Sequence, residues 1–147
     1  MRLKTASEIV KFAGELEEKS ANFYEKMAER FPERKDIFLS FAKENRKCKK
    51  MVQRAYSEVV SDALETGFSF EGMESGKYLI ETNFSQNDNV RLLLNKALEM
   101  EKKIQKFYLD AAEKSKSLLA DVPRVFERIG KKREERKHKI KDLQEVV

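Results

Sequence analysis

The sequence has no tryptophan, one cysteine, two prolines and five glycines in 147 residues. The lone cysteine, Cys48, excludes an intrachain disulfide, and it excludes an appended four-thiolate iron centre. Glycine and proline this scarce, with Lys and Glu abundant, suit long helices with ionised outer faces. No apolar run approaches the length of a membrane span, and the N-terminus lacks the apolar core of a signal peptide. The expectation is therefore a soluble, cytoplasmic protein with no membrane partner. Excess charge of one sign is also small. The net charge is +5, although 39% of the residues are charged.

Acidic and basic residues interleave along most of the chain, as on a solvated helical surface. Two runs lean basic, Lys43 to Lys50 and Lys131 to Lys141. No aromatic residues interleave with them and no nucleic-acid motif appears, so a nucleic-acid partner is not expected. The length suits one domain with a real core and is short for two.

The apolar pattern predicts four helices. Thr5-Ala-Ser-Glu8 reads as a capping box that opens the first. Ile9, Ala13, Leu16, Tyr24, Met27 and Phe31 continue it at three-four spacing up to Pro32. The second is expected from about Glu33 to Glu65, with Gly67 as its stop. Residues 66–88 carry turn formers together with Phe, Tyr, Leu and Ile. They read as a crossover packed on the bundle, with a short helix near 74–81. The third helix is expected from about Asp88 to Leu119. The fourth starts near Asp121 with Pro123 in its first turn. Two hairpins joined by one long link predict an all-α, ferritin-like four-helix bundle.

The halves repeat. Leu16-Glu17, Phe23-Tyr24 and Ala28-Glu29 recur as Met100-Glu101, Phe107-Tyr108 and Ala112-Glu113, at an offset of 84 residues. The second and fourth helices match at an offset of 88, pairing Phe38 with Phe126, Phe41 with Ile129, Ala42 with Gly130 and Val52 with Ile140. A repeated hairpin means that each copy needs the other to bury its stripe.

At about 100° per residue, Glu17 falls within about 40° of the centre of the first helix's apolar face, and Glu101 does the same on the third. A buried carboxylate is costly unless it is paired or ligates a metal. Glutamates snorkelling from the stripe edge would escape that cost, but their symmetric placement speaks against it.

Glu-x5-Phe-Tyr on the first and third helices resembles the rubrerythrin-like, ferritin-like di-iron carboxylate family, over nearly the whole chain. The resemblance implies that Glu17 and Glu101 stand at metal-ligand positions. It also implies that Tyr24 and Tyr108 hydrogen-bond ligand carboxylates. The family further implies Glu-x-x-His on the second and fourth helices.

There the sequence departs from the pattern. After Phe41-Ala42 the motif positions hold Asn45 and Cys48. The fourth helix contains Glu135-Arg-Lys-His138 at the right spacing, but His138 lies about 180° and Glu135 about 120° from the centre of the apolar face. The repeat instead maps Asn45 and Cys48 onto Arg133 and Arg136, which lie on the core face. A di-iron centre needs about four carboxylates and two imidazoles. Here Glu17 and Glu101 meet two arginines.

The expectation is a rubrerythrin-like bundle that has lost its di-iron centre, holds no cofactor, acts as a structural or interaction module and forms a homodimer. The alternative is a rubrerythrin-type oxidoreductase that binds iron, reducing peroxide or oxidising ferrous iron. A weak single-metal site would then draw on Glu17, Glu44 and Glu101. Cys48 reads as a small core residue, or as a thiol activated by neighbouring arginines.

Overall fold

The structure, a computed structural model, describes Leu3 and residues 5–60, 72–115 and 121–147, with only the backbone for 58–60 and 121. Four long helices dominate: α1 (Ala6–Arg30), α2 (Lys35–Val60), α3 (Val90–Lys114) and α4 (Asp121–Val146). No strand occurs among the described residues.

Local chemistry sets the helix ends. At α1 the capping box forms: the Thr5 hydroxyl accepts from Glu8 N at 3.1 Å, and Glu8 Oε1 accepts from Thr5 N at 3.1 Å. Pro32 cannot continue the helix hydrogen bonding, and a single 3-10 turn, Pro32–Arg34, reverses the chain into α2. The helix expected from Asp88 begins at Val90 instead. Asn89 is its N-cap, with Oδ1 accepting from Leu92 N at 2.8 Å. Asp88 is used one step earlier, where Oδ2 accepts from Ser85 N at 3.0 Å and closes a turn. The expected ends of the second and third helices, Glu65 and Leu119, lie outside the described residues.

Cross-helix contacts give the directions. Lys49 meets Glu18 and Arg46 meets Glu25, so α1 and α2 are antiparallel. Gln105 meets Glu134 and Asn95 meets Gln144, so α3 and α4 are antiparallel. Glu17 meets Tyr108 and Tyr24 meets Glu101, which makes α1 antiparallel to α3. Asn45 meets Arg133 while Phe41 meets Arg136, which makes α2 antiparallel to α4. It follows that α2 runs parallel to α3. The link between them must return along the whole bundle, about 35 Å at 1.5 Å per residue. A short loop cannot do this, and the long segment between Val60 and Val90 can.

The described part of that crossover lies on the α1–α3 side. The helix expected near 74–81 is only a 3-10 turn, Ser75–Tyr78, which ends where Leu79 takes extended backbone. Gly72 (φ 84°) turns the chain so that Met73 is buried and its carbonyl accepts from Leu3 N at 2.8 Å. Tyr78 packs edge-on to Phe107 and donates to Asp110 at 2.7 Å, and Phe84 packs on Phe23. Side chains of α3 reach two carbonyls beyond the 3-10 turn: Lys103 donates to Leu79 O and Lys96 to Asn83 O. Arg30, at the end of α1, donates to the carbonyls of Ser85, Gln86 and Asp88.

The candidate centre

The residues at the middle of the bundle come from all four helices. Glu17 lies on α1, Asn45 and Cys48 on α2, Glu101 on α3, and Arg133 and Arg136 on α4. All six are buried, as are Tyr24 and Tyr108, and Glu17, Asn45, Glu101 and Arg133 have no exposed surface. Five charged or amide-bearing groups in so dry a place must satisfy one another.

They do so largely through one network. Arg133 reaches Glu17 in a short, fully buried ion pair. Its Nη1 lies 3.3 Å from Glu101 Oε1 and donates to Asn45 Oδ1 at 2.6 Å. Arg133 thus lies between the two carboxylates. Arg136 Nη1 donates to Asn45 Oδ1 at 2.5 Å and lies 3.5 Å from Glu101 Oε2. Its Nη2 donates to the Phe41 carbonyl at 3.2 Å and to Glu44 Oε1 at 2.7 Å. The guanidinium also stands over the Phe41 and Tyr24 rings, at 4.9 and 5.4 Å. Arginine suits this place because its planar fork serves several acceptors while stacking on aromatics. Asn45 turns its oxygen to both cations and donates through Nδ2 to Ser20 Oγ at 2.8 Å.

The repeat appears in the hydrogen bonds. Tyr24 donates to Glu101 and Tyr108 donates to Glu17, both at 2.6 Å. Each hairpin therefore supplies the tyrosine for the other hairpin's glutamate. The sequence places these residues on matching faces, and their reciprocal pairing becomes visible only once α1 and α3 are antiparallel.

The electrostatics follow from burial and sign. Burial pushes the Glu17 carboxyl above its ordinary value, only partly offset by Arg133 and the Tyr108 hydroxyl. Burial opposes the charge of Arg133, but Glu101 and Glu17 outweigh it and raise its pKa. Tyr24 and Tyr108 are pushed far up, first by burial and then by the carboxylates they face, so both remain neutral donors. For Cys48, burial and the nearby Glu17 outweigh Arg133 and raise the thiol to about 11. The arginines do not activate it, and it packs as a small core residue.

Glu44 sits at the rim with its side chain 37% exposed, ion-paired to Arg136. The Glu135/His138 pair is on the surface. Both residues are exposed, and His138 lies 3.6 Å from Glu134. Among the described residues no three of His, Cys, Asp and Glu converge on a point able to hold a metal ion.

The donor chemistry does not fit a di-iron pair. The four positions that would complete it hold an amide, a neutral thiol and two arginines. Arginine is never deprotonated in proteins and offers no lone pair to a metal. A divalent cation entering between Glu17 and Glu101 would meet two guanidiniums.

Helical phase puts Glu44 at the edge of its stripe, as a candidate metal ligand; its side chain instead pairs with Arg136, a partner that phase alone does not name. Neither a family model, a curated protein nor a solved structure matches this chain. No described helix is long and apolar enough to cross a membrane.

Proposed function

We propose that this chain is a ferritin-like bundle of the rubrerythrin type in which a buried Glu–Arg network stands in place of the di-iron centre. On this reading it acts as a structural or interaction module, not as an oxidoreductase. One observation carries the proposal: Arg133 lies between Glu17 and Glu101, hydrogen-bonded to Asn45, where a metal would need those carboxylates for itself. The parallel α2–α3 order, with its long crossover, and the reciprocal tyrosine–glutamate pairs support the family likeness. The sealing of the centre supports the loss of activity, since no substrate reaches the two buried carboxylates without the helices parting. Homodimerisation belongs to the same reading.

A ligand that binds only the folded state raises its unfolding temperature. The unfolding temperature should therefore be unchanged by excess ferrous iron or manganese under anaerobic conditions. A saturable rise that is lost in Glu17→Ala would overturn the proposal.

A further inference from the structure

The repeat and the charges of the centre combine into an inference that does not depend on the family likeness. At an offset of 88 residues, Glu44, Asn45 and Cys48 of α2 correspond to Lys132, Arg133 and Arg136 of α4. At all three positions the second hairpin is the more positive: acid becomes base, a change of two charges, while amide and thiol each become a cation, a change of one. Glu17 and Glu101 are equivalent and cancel from the comparison. The buried charges alone give the first hairpin −1, from Glu17, and the second +1, from Glu101 against Arg133 and Arg136. Counting the partly exposed rim residues Glu44 and Lys132 as well, the first hairpin carries −2, from Glu17 and Glu44. The second carries +2, from Glu101 against Lys132, Arg133 and Arg136.

We infer that these substitutions form a pairing code: the inner face of each hairpin is a docking surface for a hairpin of opposite central charge, and it rejects its own kind. Two first hairpins would bring together a charge of −4, two second hairpins +4, and one of each sums to zero. The shared apolar pattern of the two copies does not make this choice. Phe38 and Phe126, and Val52 and Ile140, are equivalent buried residues that would pack in either combination. The charges do make it, because an uncompensated charge in the dry centre is far more costly than a paired one. Specificity of this kind works by penalising the wrong partner.

The geometry agrees. Most hydrogen bonds of the centre and two of its ion pairs run between hairpins: Arg133 to Glu17 and Asn45, Arg136 to Asn45 and Glu44, Tyr24 to Glu101, and Tyr108 to Glu17. Within one hairpin lie the contacts of Glu101 with Arg133 and Arg136, and of Asn45 with Ser20. Lys132 also acts on Glu44, helping to hold that carboxyl low. The code reads the hairpin and not the chain it came from, so the partner it fits is the opposite hairpin of the same chain or of a second copy.

Two full-length variants test this. Lys132→Glu/Arg133→Asn/Arg136→Cys gives a chain with two negative hairpins. Glu44→Lys/Asn45→Arg/Cys48→Arg gives a chain with two positive ones. Each is denatured, then refolded alone and in equimolar mixture, and read by far-ultraviolet circular dichroism and by particle mass. Alone, each should lose the cooperative unfolding transition. Mixed, they should regain more than half of the wild-type helical signal, in a two-chain particle. In that particle the unaltered first hairpin of one chain meets the unaltered second hairpin of the other, rebuilding the natural centre. A mixture no more helical than the average of its separate components would overturn the code. So would either variant folding alone as a monomer with wild-type stability. Neither result bears on metal binding, so this test and that of the proposed function fail separately.

Discussion

At the scale of single residues, the centre rests on groups that are costly to bury and more costly to leave unpaired. The two tyrosines should report this symmetrically. A hydrogen bond to a charged group is worth about 1.5–3 kcal/mol. Tyr24→Phe and Tyr108→Phe should each lose about that much stability in urea unfolding, with similar values because their bonds are both 2.6 Å and both buried. A large loss at one and none at the other would contradict the reciprocal arrangement. Glu44 supplies the pH dependence. Burial works to raise its pKa, but the hydrogen bond and charge of Arg136, with Arg133 and Lys132, outweigh burial and hold it below 4.5. A depressed carboxylate contributes stability that is present above its unfolded pKa and lost as pH falls through the folded one. Glu44→Gln should therefore cost about 0.5–1 kcal/mol near neutrality, a modest figure because the side chain is partly solvated. The difference from wild type should vanish well below pH 4.5. A constant difference across that range would show that the pair with Arg136 contributes nothing.

At the scale of elements, the helices were legible where periodicity and caps coincide. Thr5 and Glu8 form the expected box, and Pro32 ends the first hairpin's first helix. The crossover was less legible, for a physical reason. Its path depends on Arg30, Lys96 and Lys103 reaching backbone carbonyls, and those contacts leave no period in the sequence. The start of α3 moved from Asp88 to Val90 because two adjacent residues, Asp88 and Asn89, are both able to cap, and the chain uses one for the turn and one for the helix. Gly130 permits a test inside α4. Its repeat counterpart is Ala42, and glycine in a helix interior costs about 1 kcal/mol relative to alanine. A Cβ there would stand 3.1 Å from Leu109 Cδ2. Leu109 is 48% exposed and has room to turn outward. Gly130→Ala should raise stability by up to about 1 kcal/mol in thermal or urea unfolding. A loss would mean that Leu109 is held more tightly than its exposure implies.

At the scale of the whole molecule, four helices meet around a centre bridged by guanidiniums, which on the proposed reading take the place of metals. The sequence showed which residues face inward, and the structure shows how they connect: two carboxylates, two arginines and one amide, with each hairpin supplying what the other lacks. Sequence spacing alone misleads at Glu135 and His138, whose motif-like interval falls on the solvent face. The role of Glu44 could not be read from helical phase, because phase places a residue on a face without saying which cation its side chain will reach.

The central claim is that Arg133 and Arg136 stand where a metal pair would otherwise be held. Iron content per chain tests it most directly, measured on full-length protein loaded with ferrous iron under anaerobic conditions and then freed of unbound metal. The account predicts no stoichiometric iron. Two irons retained per chain, and lost on Glu17→Ala or Glu101→Ala, would contradict it.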